Sequence, residues 1–179
     1  MLKGDTVVLT ALDPSNAETV RAWVNDPEVN RYMLSGHVPL TPGQELAFYE
    51  DAESSDSLCV FEIHLAQDMR LIGHVGFDGV DLRHRHGELG IMIGDRDYQG
   101  RGLGRDALAT ALRFGFDTLG LHRVSIKARH DNERGLRLYR SLGFTEVGIE
   151  RDVDYAEGHY HDVVCFDMLE PEYRELLPG

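Results

Sequence analysis

Little in this chain could cross-link it or bury it in lipid. Its 179 residues contain two cysteines, one tryptophan and six prolines. Cys59 and Cys165 sit in apolar runs, Leu-Cys-Val and Val-Cys-Phe, and read as small core residues. A disulfide framework is therefore not expected, and a reducing cytoplasm is the expected compartment. No apolar stretch approaches the ~20 residues of a membrane span, and the opening Met-Leu-Lys-Gly-Asp-Thr lacks the apolar core of a secretory signal. Basic residues are scarce, 18 Lys and Arg against 31 Asp and Glu, and the net charge of −13 argues against a nucleic-acid surface.

The scarce cations are concentrated. Residues 96–140 carry ten of the 18 basic side chains and five acidic ones, a local charge of +5; the other eight bases and 26 acids leave −18 elsewhere. A basic island on an acidic body suits an anionic cofactor, with acidic ground left for a cationic substrate. Arg101 and Arg105 lie inside the island's most informative segment, Tyr98-Gln-Gly-Arg-Gly-Leu-Gly-Arg-Asp-Ala107. A strand-like run, Glu88–Ile93, precedes it and a helix-like run, Leu108–Leu119, follows. Three glycines at the mouth of a helix let backbone N–H groups approach a phosphate-bearing ligand, which the positive end of the helix dipole favours.

The rest of the chain contains no repeat, low-complexity segment or linker, and its length suits one domain over residues 1–179. Thr6–Leu12 reads as a strand. Asp13-Pro14 caps a helix running to about Val24, and Thr41 with Gln44 has capping-box spacing for a second helix. Leu58–Ala66, Leu71–Val80 and Arg85–Ile93 alternate with period two, as a meander. Arg123–Arg129 is a strand, Asn132–Ser141 a helix ended by Gly143, and Phe144–Tyr155 with His159–Leu169 a final hairpin. Strands surround two helices rather than alternating regularly with them, so the predicted class is α+β.

The glycine segment alone has several readings. A P-loop is absent, because no Gly-Lys-Ser/Thr follows. Gly102-x-Gly104-x-x-Ala107 formally matches a dinucleotide fingerprint, but Gly102 lies nine residues beyond Ile93 and repeated βαβ units are missing. A tight turn with no ligand is the plainest alternative. The segment Gln99-x-x-Gly102-x-Gly104 also resembles the pyrophosphate-binding loop, Q/R-x-x-G-x-G/A, of the GNAT N-acetyltransferases. Asn132-Glu-Arg-Gly-Leu-Arg-Leu-Tyr139-Arg-Ser-Leu-Gly143-Phe144 resembles their later Asn…Leu-Tyr-x-x-x-Gly-Phe helix. Trp23-Val-Asn-Asp-Pro-Glu-Val29 and Gly158-His-Tyr-His-Asp162 are similar to the branch of ribosomal-protein N-terminal and spermidine N-acetyltransferases.

That resemblance implies a mixed, mostly antiparallel sheet of about seven strands with helices on both faces, and acetyl-CoA as co-substrate. It implies that the strands before and after the loop helix splay apart, so that Ile91, Met92 and Ile93 offer main-chain groups to pantetheine. Pyrophosphate would sit on amides from Gln99 through Gly100, Arg101, Gly102 and Leu103 to Gly104, with Arg101 or Arg105 near the phosphates. Asn132, Gly135 and Tyr139 share a helix face by three- and four-residue spacing, while Leu138 and Leu142 point toward the sheet. By resemblance, Asn132 contacts the cofactor and Tyr139 protonates the departing thiolate; the alternative for Tyr139 is an amphipathic residue at the core's edge.

Glu88 is the candidate base. Strand alternation places it with His84, His86 and Met92, and a salt-bridged strand carboxylate is the competing reading. The pairs His84/His86 and His159/His161 could ligate metal, but no cysteine accompanies them and the implied chemistry needs none, so they read as cleft or surface residues and no metal is expected. The acceptor would be a primary amine, either a protein or peptide N-terminus or a small molecule. A polyamine is less favoured because Leu34-Ser-Gly-His-Val-Pro39 lacks the carboxylates that spermidine-acetylating relatives carry there. Amino sugars, a non-catalytic acyl-CoA-binding module and pairing into a homodimer stay open; nucleic-acid and membrane partners are not expected.

Overall fold

The computed structural model describes residues 1–34 and 38–177. An eight-stranded sheet runs in the order β1 (Leu2–Lys3), β2 (Val7–Thr10), β3 (Cys59–Leu65), β4 (Leu71–Asp81), β5 (His86–Ile93), β6 (Arg123–Arg129), β8 (His159–Leu169) and β7 (Thr145–Ala156). All neighbours are antiparallel except β5 and β6. The strand count is eight rather than about seven because the short β1 pairs with β2.

Helices cover both faces. Helix α4 (Leu103–Asp117) lies on the face that carries Phe77 and Phe61: Phe61 meets Phe114 edge to face at 5.2 Å, and Gly115 seats against Phe77. Helix α5 (Glu133–Ser141) joins it there, with Leu136 and Tyr139 in the same core. The opposite face is reached by α3 (Pro42–Ser54), whose Tyr49 contacts His74. That alternation follows from the strand period of two: Val75 and Phe77 turn to the apolar core, His74 away from it.

Local signals set most boundaries. Thr41 and Gln44 form a capping box at α3. Asp13 caps only a 3₁₀ turn, Pro14–Asn16, before α1 (Ala17–Val24), because Asn16 turns inward to bond the buried Glu62. Two short helices went unread in the sequence, α2 (Pro27–Asn30), capped by Asp26, and α6 (Glu170–Glu175). Three expectations need correction. Helix α4 begins at Leu103, not Leu108, so the last glycine of the loop lies within its first turn. Strand β5 begins at His86, leaving His84 in the preceding turn. Cys59 and Cys165 are half-buried rather than core residues, and burial pushes both thiols above their ordinary pKa. No helix among the described residues is long and apolar enough to cross a membrane.

Candidate active site

The parallel pair β5–β6 is joined only at His86↔Arg123, Gly87↔Val124 and Glu88↔Ser125. Beyond Glu88 each strand keeps its other neighbour: Leu89–Ile93 stays paired with β4, and Ile126–Arg129 with β8. The two facing edges therefore diverge into a wedge whose main-chain groups are left for a ligand. Ile91 and Ile93 turn their side chains toward α4, with Ile91 Cδ1 and Ile93 Cγ1 3.6 and 3.7 Å from where a Cβ on Gly104 would lie. Core packing and backbone presentation coexist, since they use different atoms.

At the wide end of the wedge the chain forms an anion cradle. Gly100 and Gly102 have φ of +76° and +82°, in the left-handed region that favours glycine. Among the described residues, the amides of Gly100, Arg101 and Gly102 find no acceptor in the protein, and those of Leu103 and Gly104 are first-turn helix donors with no intrahelical partner. Five successive free N–H groups at a helix N-terminus fit a diphosphate. Gln99 does not join them. Its amide donates to the Arg96 carbonyl and its side chain to Ile93 O at 2.8 Å, tying the loop to the end of β5.

The two predicted arginines separate. Arg105 is committed to Ser141 at the end of α5, through Oγ at 2.6 Å and the carbonyl at 2.9 Å. Arg101 stacks over the Tyr98 ring at 5.3 Å and is exposed beside the loop. Arg134, which sequence reasoning missed, brings its guanidinium within 3.8 Å of the Cβ position of Gly100. Its place in the first turn of α5, between the motif residues Asn132 and Gly135, was the available signal.

Asn132 serves first as the N-cap of α5, its Oδ1 accepting from the Gly135 amide at 3.0 Å. A Cβ on Gly135 would lie 2.7 Å from Asn132 Nδ2, so the glycine makes room for the cap. That Nδ2 has no protein acceptor among the described residues and remains a free donor. Tyr139 is buried, its ring 6.2 Å from Phe144 and 5.9 Å from Phe166. Desolvation pushes its pKa up to about 12, so it holds its proton at neutral pH. Among the described residues, no protein group bonds its hydroxyl. That oxygen is also not sealed off, since Asp154 Oδ2, ion-paired with Arg129 at 3.5 Å, is the one buried side-chain polar atom without a hydrogen-bond partner among the described residues.

Glu88 lies on the other face of the sheet, away from Ile91 and Ile93, at the vertex of the wedge. Lys127 Nζ is 3.6 Å from its carboxylate and 3.1 Å from that of Glu150. Desolvation, which lowers the Lys127 pKa, is outweighed by Glu150 and Glu88, so the ammonium is held above its ordinary value. The same face carries His74, opposite Met92. Burial lowers its pKa to about 4 and keeps the ring neutral. Tyr49 Oη is 3.4 Å from it.

Two flaps frame that face. Trp23 of α1 packs on Gly94, where a Cβ would fall 2.2 Å from the indole. Arg129, fully buried at the end of β6, donates to Asp131 at 2.6 and 2.9 Å and to the Arg31 carbonyl, lies 3.5 Å from Asp154, and faces the Tyr32 ring. It thereby joins the segment after α2 to the β7–β8 hairpin. Between them opens a cleft of about 420 Å³ lined by Asn25, Asn30, Arg31, Tyr155 and Glu157 among others. Arg31 and Glu157 pair across it at 3.6 Å. Of the carboxylate-free stretch Leu34–Pro39, residues 35–37 lie outside the described residues.

Residues 6–145 match the family model of the acetyltransferase (GNAT) domain. The spermidine N(1)-acetyltransferase of Escherichia coli (strain K12) is 30% identical, over 92% of this chain and 82% of its own. The human α/β-tubulin-N-acetyltransferase 9 is 29% identical, over 82% and 76%. Among solved structures, the spermidine N-acetyltransferase of Vibrio cholerae in complex with CoA and spermine superimposes with a TM-score of 0.88 at 24% identity, covering 94% of this chain and 98% of that one.

Proposed function

Because this chain belongs to the GNAT acetyltransferases and is an acetyl-CoA-dependent N-acetyltransferase, we propose that residues 1–179 form one catalytic domain whose acceptor is a weakly basic primary amine, as at a peptide N-terminus. The observation that carries this reading is the engagement of the available carboxylates: Glu88 is paired with Lys127, and Glu157 in the cleft with Arg31. Releasing the proton of an ammonium with pKa near 10.4 costs roughly 4–5 kcal/mol at pH 7, whereas an α-amine near 7.7 costs about 1 kcal/mol. A site whose candidate base is already held by a lysine suits the second.

Acetyl-CoA supplies an electrophilic thioester carbon. The amides of Gly100–Gly104 hold the diphosphate, Arg101 and Arg134 add positive charge, and the edge of Ile91–Ile93 orients the pantetheine arm through the backbone. The acceptor enters from the opposite face through the cleft between the α2 segment and the β7–β8 hairpin, and its neutral amine attacks directly. Tyr139 presents a protonated hydroxyl to the departing sulfur. Its pKa of about 12 exceeds that of a thiol, near 8.5, so it acts as a hydrogen-bond donor more than as a full proton source. Glu88 takes the amine proton directly or through water.

The sequence likeness to a spermidine acetyltransferase favours a second reading, a polyamine acceptor. A product screen by mass spectrometry, with acetyl-CoA and a panel of free-N-terminus peptides, spermidine, amino sugars and aminoglycosides, separates them: the proposal expects peptide products, and acetylation of spermidine alone overturns it. Thiol release on no amine, with acetyl-CoA still bound, would indicate the non-catalytic module. We also read the enzyme as a cytoplasmic homodimer without nucleic-acid or membrane partners. Edge strand β7 exposes Val147, Ile149, Val153 and Tyr155, an apolar row suited to a second copy; a monomeric mass in light scattering would contradict the dimer.

A further inference from the structure

The turn between β4 and β5, at the vertex end of the wedge, gathers three metal-ligating side chains. Strand register sets Asp81 directly opposite His86, a position at which Cβ atoms sit about 5 Å apart. His84, in the four-residue turn between them, folds back. Its amide donates to Asp81 Oδ1 at 2.8 Å, and its Nδ1 lies 2.8 Å from Oδ2. The His84 and His86 rings are stacked, with 21° between planes and 6.3 Å between centroids. One donor atom from each of the three residues lies within 4.8 Å of the others. Arg85, between the two histidines, is turned off the cluster, its Nε donating to Gly120 O at 2.6 Å.

We propose that Asp81, His84 and His86 form a binding site for a divalent transition-metal ion of the Zn²⁺ or Co²⁺ kind. Two donors about 2.0–2.2 Å from a metal and 90–110° apart are separated by roughly 2.8–3.6 Å. The 2.8 Å pair of Asp81 and His84 is close to that spacing before any ion arrives. His86 is exposed and needs only a side-chain rotation to complete a face. On binding, His84 would coordinate through Nδ1, the nitrogen that already faces Asp81 Oδ2, and its neutral imidazole would carry its proton on Nε2. Two imidazoles and one carboxylate suit Zn²⁺, Co²⁺ or Ni²⁺ rather than Mg²⁺ or Ca²⁺, with water filling the remaining positions. Because His86 opens the three-residue stretch that joins β5 to β6, the ion would brace the vertex of the wedge without touching the reacting atoms.

The test is titration of tag-free, chelator-treated protein with Zn²⁺ by calorimetry and with Co²⁺ by visible absorption. The expected result is one ion per chain and a higher Tm with metal. His84→Ala and His86→Ala should each weaken Kd by at least about tenfold, while the double variant His159→Ala/His161→Ala leaves it unchanged. Far-UV circular dichroism confirms that these turn variants remain folded. Absence of heat and of a Co²⁺ band in the wild type, or binding that survives in His84→Ala/His86→Ala, overturns the site.

Discussion

The two sides of the wedge are built on opposite principles. On the cofactor side the chain withholds partners: among the described residues, five consecutive amides are left free, Asn132 keeps an idle amide donor, and Tyr139 has a hydroxyl that no protein group bonds. On the acceptor side nearly every charge is taken, Glu88 and Glu150 by Lys127, Glu157 by Arg31, Asp131 and Asp154 by Arg129, Glu62 by His64 and Asn16. A ligand of fixed chemistry can be met by fixed, unsatisfied donors. A surface of paired charges instead presents a net field that an incoming amine must reorganise, and it carries less of a readable code.

Substitutions can break that contrast. The largest expected effect is on turnover: Tyr139→Phe should lower kcat by about 10²-fold or more with Tm nearly unchanged, read from thiol release and a melting curve. A fall in Tm with kcat preserved would move Tyr139 from the chemistry to the core. Next is Arg129→Met. Removing one partner from a buried ion cluster costs about 3–5 kcal/mol, because Asp154 and Asp131 lose their counter-charge; urea unfolding measures it, and a loss under 1 kcal/mol would show that the clamp between the flaps is dispensable.

A pH series probes the buried histidine of the acceptor face. His74 titrates near 4 in the fold against 6.5 when exposed, so the unfolded chain binds the proton more readily. The resulting stability is present above pH 6.5 and is lost as pH falls toward 4, by about 3 kcal/mol. His74→Gln should flatten that part of the curve in urea titrations between pH 7 and 4; an unchanged slope would assign the acid sensitivity to other groups. Gly102→Ala should raise the KM for acetyl-CoA roughly tenfold. Open space surrounds its Cβ position, and only the left-handed φ and the neighbouring free amides are disturbed. The smallest effect should be that of Glu88→Gln, under about tenfold in kcat/KM with a peptide acceptor; a much larger loss would point to a strongly basic amine.

Much of the cofactor side was legible in the chain because its chemistry is local. Glycines adjacent in sequence make the φ values that free the amides, and Asn132 and Gly135 meet within one helical turn. Even so, sequence spacing could not foresee that Gln99 would turn back to Ile93 or that Arg105 would be spent on Ser141, since both partners arrive from other elements. Arg134 reaches the loop from a separate helix for the same reason. The acceptor side was nearly illegible. Glu88 and Lys127 are 39 residues apart, and Arg129 meets Arg31 O across 98 residues.

The sequence by itself determined the class of the protein: alternating strands, capped helices and a glycine-bordered helix start are short-range patterns, set by backbone sterics and hydrogen bonding within a few residues. Only the tertiary structure decided which charges cancel. It set Lys127 against Glu88, buried Tyr139 until its proton was secured, and brought Asp81, His84 and His86 to one end of the wedge. Pairing and desolvation depend on distances between strands that register fixes, and register is settled only when the whole sheet closes on its core.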